Sequence, residues 1–117
     1  MSDIADIYLQ TWNTTDAGAR LRLLADHWAA DARYTDPIAD ATGHESIGAV
    51  IDAVQAQFPG FVFSGVGQPD GHHHVTRFQW GLGPVDAEPV VIGFDVVVTN
   101  DDGRISQVLG FLDKVPA

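Results

Sequence analysis

No cysteine occurs in the 117 residues, so disulfides, thiolate metal ligands and a cysteine nucleophile are excluded. Basic side chains are scarce: 6 Lys and Arg stand against 16 Asp and Glu, a formal net charge of −10 with His neutral. A field of that sign repels phosphate backbones and anionic lipid, which argues against nucleic acid or a membrane surface as partner. No apolar run approaches the roughly 18 residues of a membrane-spanning helix, and the first residues lack the basic-then-apolar order of a secretory signal. Internal repeats, low-complexity tracts and linker-like segments are missing too. The expectation is one domain over residues 1–117, cytoplasmic, whose chemistry rests on carboxylates, His, Tyr and backbone groups.

What is present has an ordinary globular balance, 45% hydrophobic and 19% charged. At this length about two-thirds of the chain surface can be buried, enough for a core and one modest pocket. The first third has helical period. Ile4, Ile7, Tyr8 and Trp12 form one apolar stripe, and Asn13 to Asp16 break it with short polar side chains that favour turns and caps. A second stripe runs through Ala17, Leu21, Leu24, Ala25 and Trp28, with Arg20, Arg22 and Asp26 toward solvent. Residues 33–36 are β-prone and end at Asp36-Pro37, where proline forces an extended backbone on Asp36. Thr42-Gly43-His44-Glu45 matches a capping box, which predicts a helix start at Thr42 and a run through Ile47, Val50, Ile51, Val54 and Phe58 to Pro59-Gly60.

From Phe61 the period becomes two. Strands are predicted at 61–67, 72–80, 89–99 and 104–113, with turns at Gln68-Pro69-Asp70-Gly71 and Asn100-Asp101-Asp102-Gly103. Helices followed by antiparallel strands is an α+β pattern, with the helices packed on one face of a curved sheet. The strand at 90–99 is apolar on both sides: Ile92, Phe94, Val96 and Val98 on one, Val91, Gly93, Val97 and Thr99 with Asp95 on the other. Two apolar faces suggest that the outer one is covered by a second copy, making a homodimer through the outer sheet face.

Asp95 is the sharpest chemical signal. Symmetric pairing about the 100–103 turn sets it opposite Val108, on a face shared with Gly110 and Leu112. An ionised carboxylate there is costly unless paired or hydrogen-bonded, so its proton affinity is expected to shift. A structural Asp bonded to a backbone group is the commoner arrangement of this kind. If Trp80 pairs near Pro89, His74 falls opposite Asp95, with Thr76, Phe78 and Trp80 on the same face, and the two make an acid–base couple in a dry site. The alternative for His72-His73-His74 is a polar strand start. Adjacent strand residues point to opposite faces, so this triplet is not expected to bind a metal. Tyr34 and Asp36, two apart in an extended segment, project together toward a cavity between helices and sheet. Trp12, Trp28 and Phe58 would floor it, although aromatic residues at helical spacing are more often plain core.

The run Trp28-(x)5-Tyr34-Thr35-Asp36-Pro37, the later Gly43, and Gly93-Phe94-Asp95 ahead of Asp102-Gly103-Arg104-Ile105 resemble the SnoaL-like polyketide cyclases and ketosteroid isomerases of the NTF2-like superfamily. The resemblance extends from about Ile4 to Asp113. It implies an NTF2-like cone, three N-terminal helices on a strongly curved antiparallel/mixed β-sheet enclosing a pocket. It implies no cofactor and no metal. By the same resemblance Asp36 stands at the general-base position of ketosteroid isomerases and Asp95 at that of their protonated hydrogen-bond donor, while Trp12 occupies the place of the oxyanion tyrosine. Similarity to the cyclases implies instead a metal-free aldol ring closure driven by an Asp in the same cavity.

The resulting expectation is a small hydrophobic carbonyl-type ligand and proton transfer beside its carbonyl, with Asp36 as base and Asp95 and His74 as donors. Trp12, Tyr34, Phe58, Thr76, Phe78, Trp80, Val108 and Leu112 would bind the substrate. A non-catalytic small-molecule-binding domain or a dimeric scaffold is the alternative.

Overall fold

Short polar side chains end the first helix and start the second where the sequence breaks its apolar stripe. The computed structural model describes residues 3–116. Helix α1 covers Asp3–Asn13 and α2 covers Ala17–His27, with the Asp16 carboxylate accepting from the Ala19 amide as N-cap. Asn13 does more than end α1. Its side chain donates to the Phe63 carbonyl and accepts from the Phe63 amide, at 2.9 and 2.7 Å, which ties the helix to the sheet. The stripe assigned to α2 holds at Leu24 and Trp28 and fails at Ala17, Leu21 and Ala25, which are exposed. Arg20 points inward at 3% exposure, while Leu21 is 56% exposed. The guanidinium donates to the Thr14 carbonyl and Gln55 Oε1 and pairs with Asp52, so three acceptors from α3 and the α1–α2 turn compensate its burial.

Strand β1 (Trp28–Thr35) begins directly after α2 and is much longer than the four β-prone residues suggest. After the Asp36 turn the chain returns as β2 (Asp40–Thr42), paired antiparallel with β1, an element the sequence reading lacks. Because Thr42 is committed to that pairing, no capping box forms. Gly43, at φ +89°, is the N-cap of α3 (His44–Gln57), and the helix starts without a side-chain cap.

Four strands follow: β3 (Val62–His72), β4 (Val75–Gly83), β5 (Val91–Thr99) and β6 (Ile105–Lys114). The expected turn at residues 68–71 is instead part of β3, whose register slips between Val66 and Asp70, and the reversal comes at His73, with φ +50°. The Asn100–Gly103 turn forms as read, with Asn100 Oδ1 accepting from the amides of Asp102 and Arg104. The sheet order is β2-β1-β6-β5-β4-β3. Every neighbouring pair is antiparallel except β1 with β6.

Three helices and a six-stranded mixed sheet thus make the α+β fold, with Trp28, Leu24, Ile47, Ile51, Val97, Ile105 and Val108 wholly buried in its core. Among the described residues no helix is long and apolar enough to cross a membrane.

Replacing Arg20 removes the charged donor and leaves its acceptors without it, so Arg20→Ala should lower unfolding free energy by about 2 kcal/mol in urea titrations. A loss within the scatter of ordinary surface substitutions, about 0.5 kcal/mol, would mean the buried guanidinium contributes nothing net.

Candidate functional site

A cavity of about 230 Å³ lies against the inner face of the sheet. Tyr8 and Trp12 reach it from α1, Tyr34 from β1, and Asp36 and Ile38 from the turn after β1. Val54, Gln57 and Phe58 line it from α3, and Phe63, Trp80, Leu82, Val91 and Leu112 from the sheet. Val115 and Pro116 complete it after β6. Among the described residues Asp36 is its single charged lining residue. Five of the expected binding residues, Trp12, Tyr34, Phe58, Trp80 and Leu112, are therefore on its wall.

Asp36 is held by its own turn. Oδ1 accepts from the Ile38 and Ala39 amides at 2.9 and 2.8 Å, and the Tyr34 hydroxyl donates to Oδ2 at 2.6 Å. Tyr34 is 3% exposed. Burial and the neighbouring Asp36 carboxylate raise the Tyr34 phenol well above its ordinary pKa, so it stays a donor at any working pH.

Asp95 is 1% exposed and lies just behind the cavity wall. It faces Gly110 across the β5–β6 pair and Phe78 across β4–β5. Glycine at 110 is required by space: a Cβ there would stand 2.7 Å from Asp95 Oδ1 and 3.2 Å from Asp36 Cβ. The Asp95 carboxyl and the Asp36 side chain thus both crowd the space that a side chain at 110 would fill. Burial raises the Asp95 pKa to about 6, against the opposing pull of the Tyr8 hydroxyl and Trp80 indole, with the negative charge of Asp36 adding to the rise. Trp80 rests on Gly93, where a Cβ would meet its ring at 2.1 Å. Among the described residues neither Trp80 Nε1 nor Asp95 Oδ2 finds a hydrogen-bond partner, and Trp12 Nε1 is likewise buried without one.

Tyr8 is the residue that the sequence reading left out of the site. It lines the cavity, and its phenol is raised well above the ordinary value by burial first and by Asp95 second. The signal was available, since Tyr8 precedes Trp12 by one helical turn on the same stripe. What the sequence did not carry was which of the two would stand nearer Asp95. Phe78 supports Tyr8 from below, edge-on at a ring separation of 5.4 Å, and Trp28 stacks on it at 5.7 Å from within the core.

Four expected site residues lie elsewhere. His74 does not pair with Asp95: it sits at the β3–β4 reversal, its side chain 58% exposed, with Nε2 3.7 Å from Asp101. Phe78 takes the position opposite Asp95, and Thr76 pairs with Val97 without reaching the cavity. The reason is that Gly81-Leu82-Gly83, read as loop, continues β4. Glycines at 81 and 83 leave room for the returning Glu88-Pro89 backbone and ring, so the strand runs on and pairing shifts four positions. An even shift keeps every side chain on its expected face. Val108 is opposite Val97 rather than Asp95 and is wholly core, because β6 slips against β5 next to Thr99. Phe78 and Trp28 are likewise core and not cavity wall. Among the described residues no group of three or more His, Asp or Glu could hold a metal ion.

The family model for the SnoaL-like domain matches residues 5–108. No curated protein matches the chain. Among solved structures, a candidate isomerase of the SnoaL-like family from Agrobacterium tumefaciens is 44% identical, with a TM-score of 0.89 over 94% of each chain. A candidate polyketide cyclase from Sinorhizobium meliloti is 18% identical, TM-score 0.73, over 94% of each chain. A protein of ketosteroid isomerase-like fold from Catenulispora acidiphila, in complex with trimethylamine, is 18% identical, TM-score 0.73, over 94% of this chain and 85% of its own. The last two share the fold. Family match and 44% identity together make this chain a member of the SnoaL-like family, with an NTF2-like fold.

Proposed function

We propose that the cavity binds a small carbonyl compound and transfers a proton beside the carbonyl, without a cofactor, as an isomerase or cyclase does. The observation that carries this reading is that Asp36 and Asp95 meet over the bare Cα of Gly110, Asp36 on the cavity wall and Asp95 outside its lining. Asp36 Oδ2 would accept the proton from the carbon next to the carbonyl; the pair of that C–H bond would become a C=C π bond, and the carbonyl π pair would move onto the oxygen. Tyr8 would donate to that oxygen.

Asp95 acts through Tyr8 in this scheme and is a positioning residue. While it is protonated it can donate to the Tyr8 oxygen, leaving the phenolic hydrogen free for the ligand. Once ionised it is an acceptor only and competes for that hydrogen. His74 has no part, being at the far reversal of the sheet. The unpartnered indole N–H of Trp12 is a second donor suited to a ligand oxygen.

A second reading is binding without turnover. The observation favouring it is that Asp36 already accepts three hydrogen bonds, the pattern of a structural turn. Trimethylamine in the related fold from Catenulispora acidiphila is compatible with a ligand-holding role.

We also propose a homodimer through the outer sheet face, and one domain for the whole chain. Leu109 and Phe111 of β6 are 37% and 58% exposed there, next to Phe94 and Val96 of β5. Mass measurement in solution should give twice 12.6 kDa, and Phe111→Lys should shift it to the monomer. A monomeric wild-type protein overturns the assembly.

Hydrogen exchange and isomerisation rates on a panel of enolisable ketones should fall by about 100-fold or more in Asp36→Asn, the loss expected for a missing general base. In the wild type the rate should decline as pH rises through about 6, the Asp95 value, and Asp95→Asn should remove that decline. Rates indistinguishable between wild type and Asp36→Asn would leave the binding reading in its stead.

The same carboxyl links stability to pH. Its pKa is about 6 folded against 3.8 for the free side chain, so folding favours the protonated form. Its contribution is complete below about pH 4 and is lost as pH rises to about 6, an effect of about 3 kcal/mol. Unfolding free energies from pH 4 to 7 should therefore fall by about that much more in wild type than in Asp95→Asn. Parallel curves would mean Asp95 is ionised at no cost.

A further inference from the structure

The cavity combines three features that the proton-transfer scheme does not by itself require. Six of its lining residues are aromatic: Tyr8, Trp12, Tyr34, Phe58, Phe63 and Trp80. Successive rings are tilted rather than parallel, by 48° for Trp12–Tyr34, 54° for Trp12–Phe63 and 59° for Phe63–Trp80, at centroid separations of 5.3 to 5.5 Å. Rings inclined in this way form the facets of a concave wall. Finally, the lining contains a carboxylate and no Lys, Arg or His, and Asp95 behind it has no cationic partner among the described residues.

We infer that the ligand of this cavity carries a compact positive charge, a protonated or quaternary amine, seated between the aromatic wall and Asp36. The face of an aromatic ring is electronegative and attracts a cation within about 6 Å of its centre. A neutral guest of the same shape gains the same apolar burial but leaves Asp36 and an ionised Asp95 with no opposite charge in reach. An ammonium supplies one. The net charge of −10 raises the local concentration of cations in the same sense. In the reaction proposed above, a positive group on the substrate would also offset the oxyanion that forms close to Asp95.

This inference rests on the cavity being the ligand site and is independent of whether the ligand is turned over. It is tested with two probes that differ only in charge: choline, and 3,3-dimethylbutan-1-ol, in which carbon replaces nitrogen. Titration calorimetry of the wild-type protein at low salt should give choline at least about tenfold the affinity, about 1.4 kcal/mol. Sodium chloride should weaken choline and leave the alcohol unaffected. Asp36→Asn keeps an Oδ1 acceptor for the Ile38 and Ala39 amides, and should bring the two probes within about threefold of one another, by loss of choline affinity alone. The inference is overturned if the alcohol binds as tightly as choline, if neither saturates the protein, or if the preference persists in Asp36→Asn. A ketone panel without turnover would leave the charge preference standing, and loss of the preference would leave the ketone result standing.

Discussion

Only one pair of neighbouring strands in this sheet runs parallel, and the site exists because of it. Tyr34 on β1 lies beside Val108 on β6 and Thr35 beside Leu109, so the turn that carries Asp36 comes up against Gly110. On the other edge of β6, Gly110 pairs with Asp95. Residues 36, 95 and 110 are thereby held on three adjacent strands or their ends. A parallel pairing cannot be made by a tight turn; it needs a long crossover, here supplied by β2, α3 and the remaining strands. The helices then cover the face on which the two carboxyls approach each other.

Asp95 shows what that arrangement costs. A carboxyl removed from water is unfavourable in its charged form, and within the protein this one has only weak compensation. It sits in a sheet whose β5 is otherwise Val, Ile, Phe, Gly and Thr. A Val at this position would bury more apolar surface without the penalty. A costly polar group held in a packed site beside a cavity is what the proposed proton-transfer scheme needs of Asp95. Asp36 is the opposite case. Its turn satisfies it completely, so its position is fixed at little cost.

Much of the fold could be read locally. Helical period located α1, α2 and α3 to within a few residues, the Asn100–Gly103 turn was read correctly, and the apolar character of both faces of β5 matched the half-buried Ile92, Phe94, Val96 and Val98. The errors share one cause: local preference yielded to pairing with a distant strand. Thr42 has the composition of a helix cap but pairs with Arg33. Pro69 and Gly71 have the composition of a turn but lie in β3. Gly81 and Gly83 look like a loop but are strand residues chosen for the close approach of Pro89. Arg20 looks solvent-facing, and is drawn inward by Asp52 and Gln55 from a helix whose position the sequence does not state.

Composition, period and motif by themselves determined the class of the chain: helices ahead of strands, an acidic protein without thiol chemistry, and two Asp residues in settings unlike those of the other acids. Those properties are legible because they depend on neighbours within a turn of helix or two steps of a strand. Only the tertiary structure decided that Tyr8 and not His74 stands by Asp95, and that Asp36 and Asp95 share Gly110. Strand register is set by bulges and by where a distant backbone can approach a glycine. A shift of a few residues there keeps the pattern of faces intact while replacing every partner, and so leaves no trace in the periodicity.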